Sequence, residues 1–222
     1  MPEATCCPGS DLQAWNLNVY KAAWAALTNA CSISAASRIL EIGCGQGIGL
    51  AYLARHYAGT FTGVDQSHAA TLIARRTGLT IIRAERQALP MADGAFDAVV
   101  MIEALFVFAG REAALPEVRR VLTPGDHLVT AEFTSMTIEE ARIAVARHAE
   151  TAGFRLITLD DHSADARRAI IEGEAARARF LRYLPALIAT CFRDVLALKG
   201  SARYAKWAGR QQAYYLAVLQ AI

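Results

Sequence analysis

A short apolar run that leads directly into glycines constrains the fold of this chain more than any other feature. The run covers residues 38–42, and an amphipathic stretch, residues 47–57, overlaps the end of the glycine series. The glycines stand at alternate positions, Gly43, Gly45, Gly47 and Gly49. This order predicts a strand, a tight turn and a helix, and the bare backbone of such a turn can approach a ligand closely.

The same alternation of apolar runs and helical patterns continues to the end of the chain. Six further runs are predicted strands, at residues 60–65, 79–84, 95–103, 126–133, 153–161 and 212–222. Seven strands that alternate with helices predict an α/β fold with a doubly wound, mostly parallel sheet and helices on both faces. An antiparallel strand at the edge of the sheet is compatible with this pattern.

The length of 222 residues favours a single domain with one insertion. We expect an N-terminal helical segment (1–36), a sheet-forming core (37–161), a helical lid (162–211) and a final strand (212–222). Pro185 is predicted to divide two helices of the lid, and Gly200 to end the second. Two interpretations of the lid stay open, a cap that contacts a substrate and a plain helical pair packed on the sheet.

Composition excludes several classes of protein. The formal net charge is +2 and the pI about 8.3, without the clustered basic surplus of nucleic-acid-binding proteins. No apolar run approaches the length of about 18 residues of a membrane span, and the N-terminus lacks a signal-peptide pattern. The five cysteines form no C-x-x-C and no histidine pair has zinc spacing, which predicts reduced thiols and no metal site. We therefore expect a soluble cytoplasmic protein.

The spacing of the glycines narrows the class of ligand. No Gly-Lys-Ser/Thr follows them, which excludes a P-loop, and Ile48 stands where the dinucleotide fingerprint requires glycine. Glu41, two residues before the first glycine, suits a cationic or hydroxyl-bearing ligand. Asp65 ends the second strand, where a carboxylate can bind ribose hydroxyls, and Glu85 after the third strand can accept from the amine of adenine. Together these residues predict a site for a positively charged nucleoside, although each carboxylate taken singly also fits a helix cap or a solvated strand end.

Four stretches of the sequence follow each other in a characteristic order: LEIGCGQGIGLAYLA, GVDQS, AERQALPMADGAFDAVVMIEAL and LPEVRRVLTPGDHLV. They resemble the ordered motifs of class I S-adenosylmethionine-dependent methyltransferases of the small-molecule type, in the sterol, tocopherol and natural-product sugar branch (type 11). The resemblance implies a Rossmann-like methyltransferase fold, S-adenosyl-L-methionine as the cofactor and residues 37–161 as the cofactor-binding core. It implies that the methionine part is held by Glu41, Gly43, Gly45 and Gly47, the ribose by Asp65, and the adenine by Glu85 and Arg86. Cys44, Gln66 and Ile102 are further expected cofactor contacts.

Two residues are candidates for acid–base chemistry. Glu103 follows the fourth strand, at a place where that branch of the family carries a similar glutamate. Relatives often have a histidine three or four residues later, and Phe106 and Val107 stand there in this chain. His162 follows the sixth strand, where we expect the acceptor, and is a candidate base or acceptor contact. A solvated turn or a helix cap explains His162 as well.

Several residues are expected around the acceptor. Tyr20 and Phe106 are predicted pocket walls, although core packing explains them nearly as well. Formal charge is −4 over residues 1–162 and +6 over residues 163–222. This asymmetry predicts an acceptor with a carboxylate or phosphate, or docking on an anionic carrier domain or membrane surface. We expect some of Arg177, Arg179 and Arg182 to meet an anionic group of the acceptor. A solvated helix face explains the same arginines equally well.

The function predicted from the sequence is transfer of a methyl group to a small-molecule acceptor. A secondary metabolite, a lipid or a quinone-like compound, in some cases anionic, is the expected acceptor, with O- or C-methylation favoured over N-methylation. MIEA, residues 101–104, replaces the N-P-P-Y-type tetrapeptide after the fourth strand, which weighs against methylation of amino groups in nucleic acids or glutamine. An RNA or protein methyltransferase, or a cofactor-binding subunit that does not catalyse, remains the alternative. Contact with a carrier domain or a second copy of the chain is a further expectation.

Overall fold

The computed structural model describes residues 10–105, 111–181, 193–194 and 196–222. Its strands are β1 Arg38–Ile42, β2 Thr60–Asp65, β3 Thr80–Arg83, β4 Phe96–Ile102, β5 Leu122–Thr134, β6 Phe154–Asp161 and β7 Ala213–Ala221. Its α-helices, within the described ranges, are α1 Ser10–Ala30, α2 Ile48–His56, α3 His68–Ala74, α4 Arg111–Val121, α5 Ile138–Thr151, α6 Ser163–Glu172, α7 Glu174–Phe180 and α8 Ala202–Ala208. The predicted alternation of strands and helices is confirmed.

All seven strands form one sheet in the order β3-β2-β1-β4-β5-β7-β6. The first five strands pair in parallel, and β7 runs antiparallel to both β5 and β6. The doubly wound, mostly parallel sheet is thus confirmed, whereas the antiparallel strand lies one position inside the edge instead of at it. Parallel strands end at the same edge of a sheet, so the residues after β1, β2, β4 and β6 come together there.

The burial of the last two strands explains their positions. Every residue of β7 except Gln220 is buried, as an interior strand covered on both faces requires. Strand β6 exposes several polar residues, among them Arg155, Asp160 and Asp161, which suit an edge that must not pair with another chain.

Helices cover both faces of the sheet. On one face α4 and α5 bury Leu115, Val118 and Val145 against the strands. On the other face α1 buries Trp24 and Leu27 in a cluster that also contains residues of α2, α3, α6 and α8. Helix α1 therefore lies on the same face as the helices of the lid, and it contacts both α6 and α7.

The lid lies between β6 and β7, as predicted, and its described helices are α6, α7 and α8. Pro185, the predicted point of division, lies outside the described residues. Gly200 has a φ of +87° and stands before Ser201, whose hydroxyl caps α8 by accepting from the backbone N–H of Tyr204. Within the described ranges, no helix has the length and apolar character needed to cross a membrane.

Candidate active site

The glycine turn after β1 packs against the chain that follows β4. Gly43 has a φ of +79°, and a Cβ at this position would lie 2.5 Å from the Cβ of Ala104. The backbone N–H groups of Gly43 and Cys44 both donate to the carbonyl of Val64, at 2.7 and 3.0 Å. Glycine is therefore required where β1, β2 and β4 end together, and it leaves the turn open toward a ligand.

Glu41 is a fully buried carboxylate beneath this turn. Its Oε1 accepts a hydrogen bond from the Tyr20 hydroxyl of α1, and its Oε2 has no hydrogen-bond partner among the described residues. Burial raises the pKa of Glu41 to about 7, and the charge of Asp65 adds to this, while the Tyr20 hydrogen bond opposes it. A buried oxygen without a partner is costly, so this carboxylate is suited to a cationic ligand group.

Room for the Tyr20 ring comes from the fourth glycine of the series. A Cβ on Gly49 would lie only 1.9 Å from Cζ of Tyr20, so any larger residue at the start of α2 would displace the ring. The role of Gly49 is local, because it lets α1 approach the glycine turn closely enough for Tyr20 to reach Glu41.

Asp65 ties the glycine turn to the start of α3. Its Oδ2 accepts from the backbone N–H of Gly45 at 2.9 Å and its Oδ1 from that of Ser67 at 2.8 Å. Each carboxylate oxygen keeps a second lone pair, so both can still accept from a hydroxyl group. Asp65 lines a cavity of about 260 Å³ together with Gln66, Arg86 and other residues, which we call the Asp65 cavity.

A second cavity of about 350 Å³ lies beside it, and we call it the Tyr20 cavity. Tyr20, Cys44, Gly45, Ile102 and Glu103 are among the residues of its wall. Gly43 and Glu103 border both cavities, so the two are neighbours along the carboxyl edge of the sheet. Most of the predicted cofactor residues thus lie in these two cavity walls, and Glu41 lies beneath them.

Glu85 and Gly47 lie outside both walls. The side chain of Glu85 is exposed and accepts from Nε2 of Gln87 at 3.0 Å. A tight turn, closed by the N–H of Ala88 on the carbonyl of Glu85, leaves it there. The contact of Glu85 with adenine stays a prediction, whereas Arg86 borders the Asp65 cavity. Gly47 has a φ of +76° and begins α2.

Glu103 stands at the junction between the two cavities. Its backbone is left-handed, with a φ of +53°, and its N–H donates to the carbonyl of Ala131 at 2.8 Å. Its Oε1 accepts from the hydroxyl of Tyr214 at 3.3 Å. Burial raises the pKa of Glu103, while the Tyr214 hydrogen bond and the charge of Arg203 oppose this shift.

Two residues of this site were not predicted from the sequence. Glu132 is fully buried, and its Oε1 accepts from the backbone N–H groups of Ala104 and Leu105 at 3.0 and 2.7 Å. Glu132 thus holds the backbone that follows Glu103. In the sequence, an acidic residue within the apolar run of β5 was the signal that could have identified it. Tyr214 carries no such signal, because the sequence does not reveal that β7 lies beside β5.

His162 lies in the wall of a third cavity, of about 600 Å³, between α1 and α6. We call it the α1–α6 cavity. Val19 borders both this cavity and the Tyr20 cavity, and Tyr214 also lines it. His162 occupies the N-cap position of α6 without a side-chain capping bond, and its backbone N–H donates to the carbonyl of Tyr214 at 2.9 Å. Glu103 is not among the residues of this wall.

The arginines of the lid differ from each other in their surroundings. Arg177 is 6% exposed, and its guanidinium donates to the carbonyls of Leu196 at 2.7 Å, Ala169 at 3.3 Å and also Ile170. These donors join α6 to the turn before α8, which favours a structural role, and the contact of Arg177 with an acceptor stays a prediction. Arg179 is exposed. Phe106 and Arg182 lie outside the described residues.

The sheet order and the glycine turn at its carboxyl edge define a Rossmann-like α/β protein with a nucleoside-type site. Residues 40–130 match a family model described as a methyltransferase domain. The phthiotriol/phenolphthiotriol dimycocerosates methyltransferase of Mycobacterium leprae (strain TN) is 31% identical over 175 residues, 74% of this chain and 62% of that protein. The fatty-acid O-methyltransferase of Mycolicibacterium smegmatis is 38% identical over 97 residues, 41% of this chain and 35% of that protein.

The chain thus spans less than two thirds of the length of either relative. A crystal structure of geranyl diphosphate C-methyltransferase from Streptomyces coelicolor A3(2), with Mg²⁺, geranyl diphosphate and S-adenosyl-L-homocysteine, matches with a TM-score of 0.66 at 15% identity. The match covers 92% of this chain and 81% of the Streptomyces protein. At 15% identity, this likeness shows the fold alone. Residues 40–130 thus resemble the methyltransferase domain of these relatives, which supports a class I S-adenosylmethionine-dependent methyltransferase of the small-molecule type.

Proposed function

We propose that the protein transfers a methyl group from S-adenosylmethionine to an oxygen atom of a small, lipid-like acceptor. The observation that carries this proposal is the series of three cavities along the carboxyl edge of the sheet. The Asp65 and Tyr20 cavities share Gly43 and Glu103, and the Tyr20 and α1–α6 cavities share Val19. A nucleoside, a methionine chain and an acceptor can therefore be bound in that order.

The residues present fit the cofactor. The partnerless oxygen of Glu41 would accept from the ammonium group, and the open backbone at Gly43 and Gly45 would border the methionine chain. Asp65 would accept from the ribose hydroxyls, with Arg86 and Gln66 beside the adenosine. When bound, the cofactor supplies a methyl carbon that its positive sulfur already activates. The protein is then required to align the acceptor and to exclude water.

The α1–α6 cavity supports a small acceptor with an apolar part. Its wall includes the apolar residues Val19, Ala22, Ala169 and Leu216. Asp165, Arg168 and Glu172 also border it, so the described charges do not favour an anionic group. The names of both relatives refer to lipids, namely dimycocerosates and fatty acids, which supports a lipid-like acceptor. Contact of His162 with the acceptor, and a cytoplasmic location of the protein, stay predictions.

Calorimetry and an acceptor screen test this function. The wild-type protein should bind S-adenosylmethionine and S-adenosylhomocysteine, and a screen of fatty alcohols, fatty acids, phenols and hydroxyquinones should yield one product heavier by a methyl group. Absence of cofactor binding at roughly millimolar concentration would exclude the assignment. Cofactor binding without transfer to any class of small molecule would favour the alternative of a subunit that does not catalyse.

A further inference from the structure

We propose that Tyr214 is a positioning residue for Glu103, and that the pair serves an acceptor whose nucleophile is a neutral hydroxyl group. This inference rests on the proposed function and specifies its acceptor. Glu103 borders the Tyr20 cavity and Tyr214 borders the α1–α6 cavity, so their hydrogen bond joins the proposed site of the methionine chain to that of the acceptor. At this boundary Glu103 would take the hydroxyl proton, and Tyr214 would hold the carboxylate where it can do so.

The Tyr214 side chain is fixed in a buried position. Tyr214 is 1% exposed, and its ring packs edge-on against Phe133 with 4.8 Å between the centroids. Its hydroxyl lies 3.3 Å from Oε1 of Glu103. Burial and the charge of Glu103 raise the pKa of Tyr214 well above its ordinary value, so the hydroxyl stays protonated and donates. The hydrogen bond contacts Oε1 of Glu103, and a substrate hydroxyl would donate to the carboxylate of Glu103 beside it.

The backbone of Glu103 is held as firmly as the tyrosine. A left-handed conformation is strained for a residue other than glycine, and it persists only where neighbouring contacts impose it. Here the N–H of Glu103 donates to Ala131, and the next two N–H groups donate to the buried Glu132. With the backbone fixed on both sides, the Tyr214 hydroxyl acts on the side chain of Glu103 and sets the direction of its carboxylate.

A hydroxyl acceptor is the class that needs this pair. A hydroxyl group is a weak nucleophile until its proton is removed, whereas a carboxylate acceptor is already ionised near neutral pH. The proton of the hydroxyl passes to Glu103, the oxygen forms its bond to the methyl carbon, and the electrons of the broken carbon–sulfur bond stay on sulfur. Ionised Glu103 would repel a carboxylate acceptor.

Among the described residues, other titratable or charged side chains act on the pair or share a cavity wall with it. They are Tyr20 of α1, Asp65 of β2, Arg86 after β3, Glu132 of β5, His162 before α6, Arg203 of α8 and Tyr215 of β7. Replacing Tyr214 by phenylalanine leaves all of them in place and removes one hydroxyl. Since that hydroxyl lowers the pKa of Glu103, the variant should titrate Glu103 at higher pH.

Infrared difference spectroscopy of the protein without cofactor tests the contact directly. The carboxyl band of Glu103 is assigned by its loss in Glu103→Gln, and its titration midpoint is compared between wild type and Tyr214→Phe. The midpoint should move to higher pH in Tyr214→Phe and stay in place in Tyr57→Phe. Tyr57 stacks on Trp24 at 4.8 Å on another part of the molecule, which makes it a matched control. An unchanged midpoint in Tyr214→Phe overturns the positioning role.

Methyl transfer to hexadecan-1-ol and to hexadecanoic acid tests the acceptor class at equal chain length. The alcohol should be methylated at least about tenfold faster than the acid. Tyr214→Phe should lower kcat about tenfold and move the acidic limb of the pH profile upward, with KM nearly unchanged. Transfer to the acid alone, or to neither compound, overturns the hydroxyl assignment. Loss of cofactor binding in the wild type would instead exclude the proposed function, because the infrared titration needs neither cofactor nor acceptor.

Discussion

Glu41 shows how a single residue combines a structural cost with a function. Its pKa of about 7 arises first from burial, and the charge of Asp65 adds to it. A carboxyl group with a pKa raised above its unfolded value stabilises the fold fully below the unfolded pKa and loses that contribution as pH rises through the folded pKa. The stability of the protein without cofactor should therefore fall by about 3 kcal/mol between roughly pH 4.5 and pH 7 on account of Glu41.

Urea unfolding across this range of pH measures the effect. Glu41→Gln should flatten the decline, and Glu150→Gln, an exposed change on α5, should leave it unchanged. Binding of the cationic cofactor should favour the ionised form of Glu41, so protons are released on binding near pH 7. Calorimetry in buffers of different ionisation enthalpy detects this release as a difference between wild type and Glu41→Gln. Equal proton release by both proteins would contradict the assignment of Glu41 to the ammonium group.

Residues of the candidate site that directly follow the end of a strand could be predicted from the sequence. Residues that reach the site only because of the order of the strands in the sheet could not. Glu41 and Asp65 lie where the end of an apolar run placed them, in or beneath the cavity walls. Glu85 follows a strand as well, yet the tight turn closed by Ala88 leaves it exposed. Tyr214 reaches Glu103 across 111 positions of sequence, a contact that requires the order of β5 and β7.

At the scale of elements, apolar patterning predicted the strands and helices but not how the lid is held together. An arginine on an amphipathic helix is equally compatible with a solvent-exposed face and with a binding site. Whether its side chain is buried depends on which helices pack together. Arg177 illustrates this, because the carbonyls at the end of α6 and in the turn before α8 surround its guanidinium. The sequence likewise allowed an antiparallel strand without indicating that β7 lies inside the edge.

Replacing Arg177 should therefore affect the stability of the lid. Arg177→Gln leaves buried carbonyls without donors, which should destabilise the protein by about 1 to 3 kcal/mol. Arg179→Gln is the matched control, because Arg179 is exposed two positions along the same helix. Thermal unfolding and hydrogen exchange of residues 163–181 measure both variants. Equal stability of the two variants, with a raised acceptor KM in Arg177→Gln, would favour contact of Arg177 with the acceptor over a structural role.

At the scale of the whole molecule, the three cavities join elements that are distant in sequence. Helix α1, the glycine turn, the ends of β2 and β4, the start of β7 and helix α6 all border them. The hydrogen bond from Tyr20 to Glu41 attaches α1 to this series, while α5 lies on the opposite face of the sheet. A ligand in the first two cavities should therefore stabilise α1 and α2 more than α5.

S-adenosylhomocysteine at about 100 times its Kd should raise the free energy of unfolding by about 2.7 kcal/mol, because it binds the folded chain alone. When S-adenosylhomocysteine binds, hydrogen exchange should slow in residues 17–30 of α1 and in α2, and it should remain unchanged in α5. Asp65→Ala should weaken binding by about 1 to 3 kcal/mol, since it leaves buried hydroxyl and N–H donors unpaired. At the same ligand concentration, the stabilisation of this variant should therefore be smaller by about 1 to 2.4 kcal/mol. Adenosine alone, which lacks the methionine chain, should protect residues 17–30 less than the full ligand does. Equal protection of α1 and α5 would mean that the ligand acts through global stability, and that α1 does not close the Tyr20 cavity.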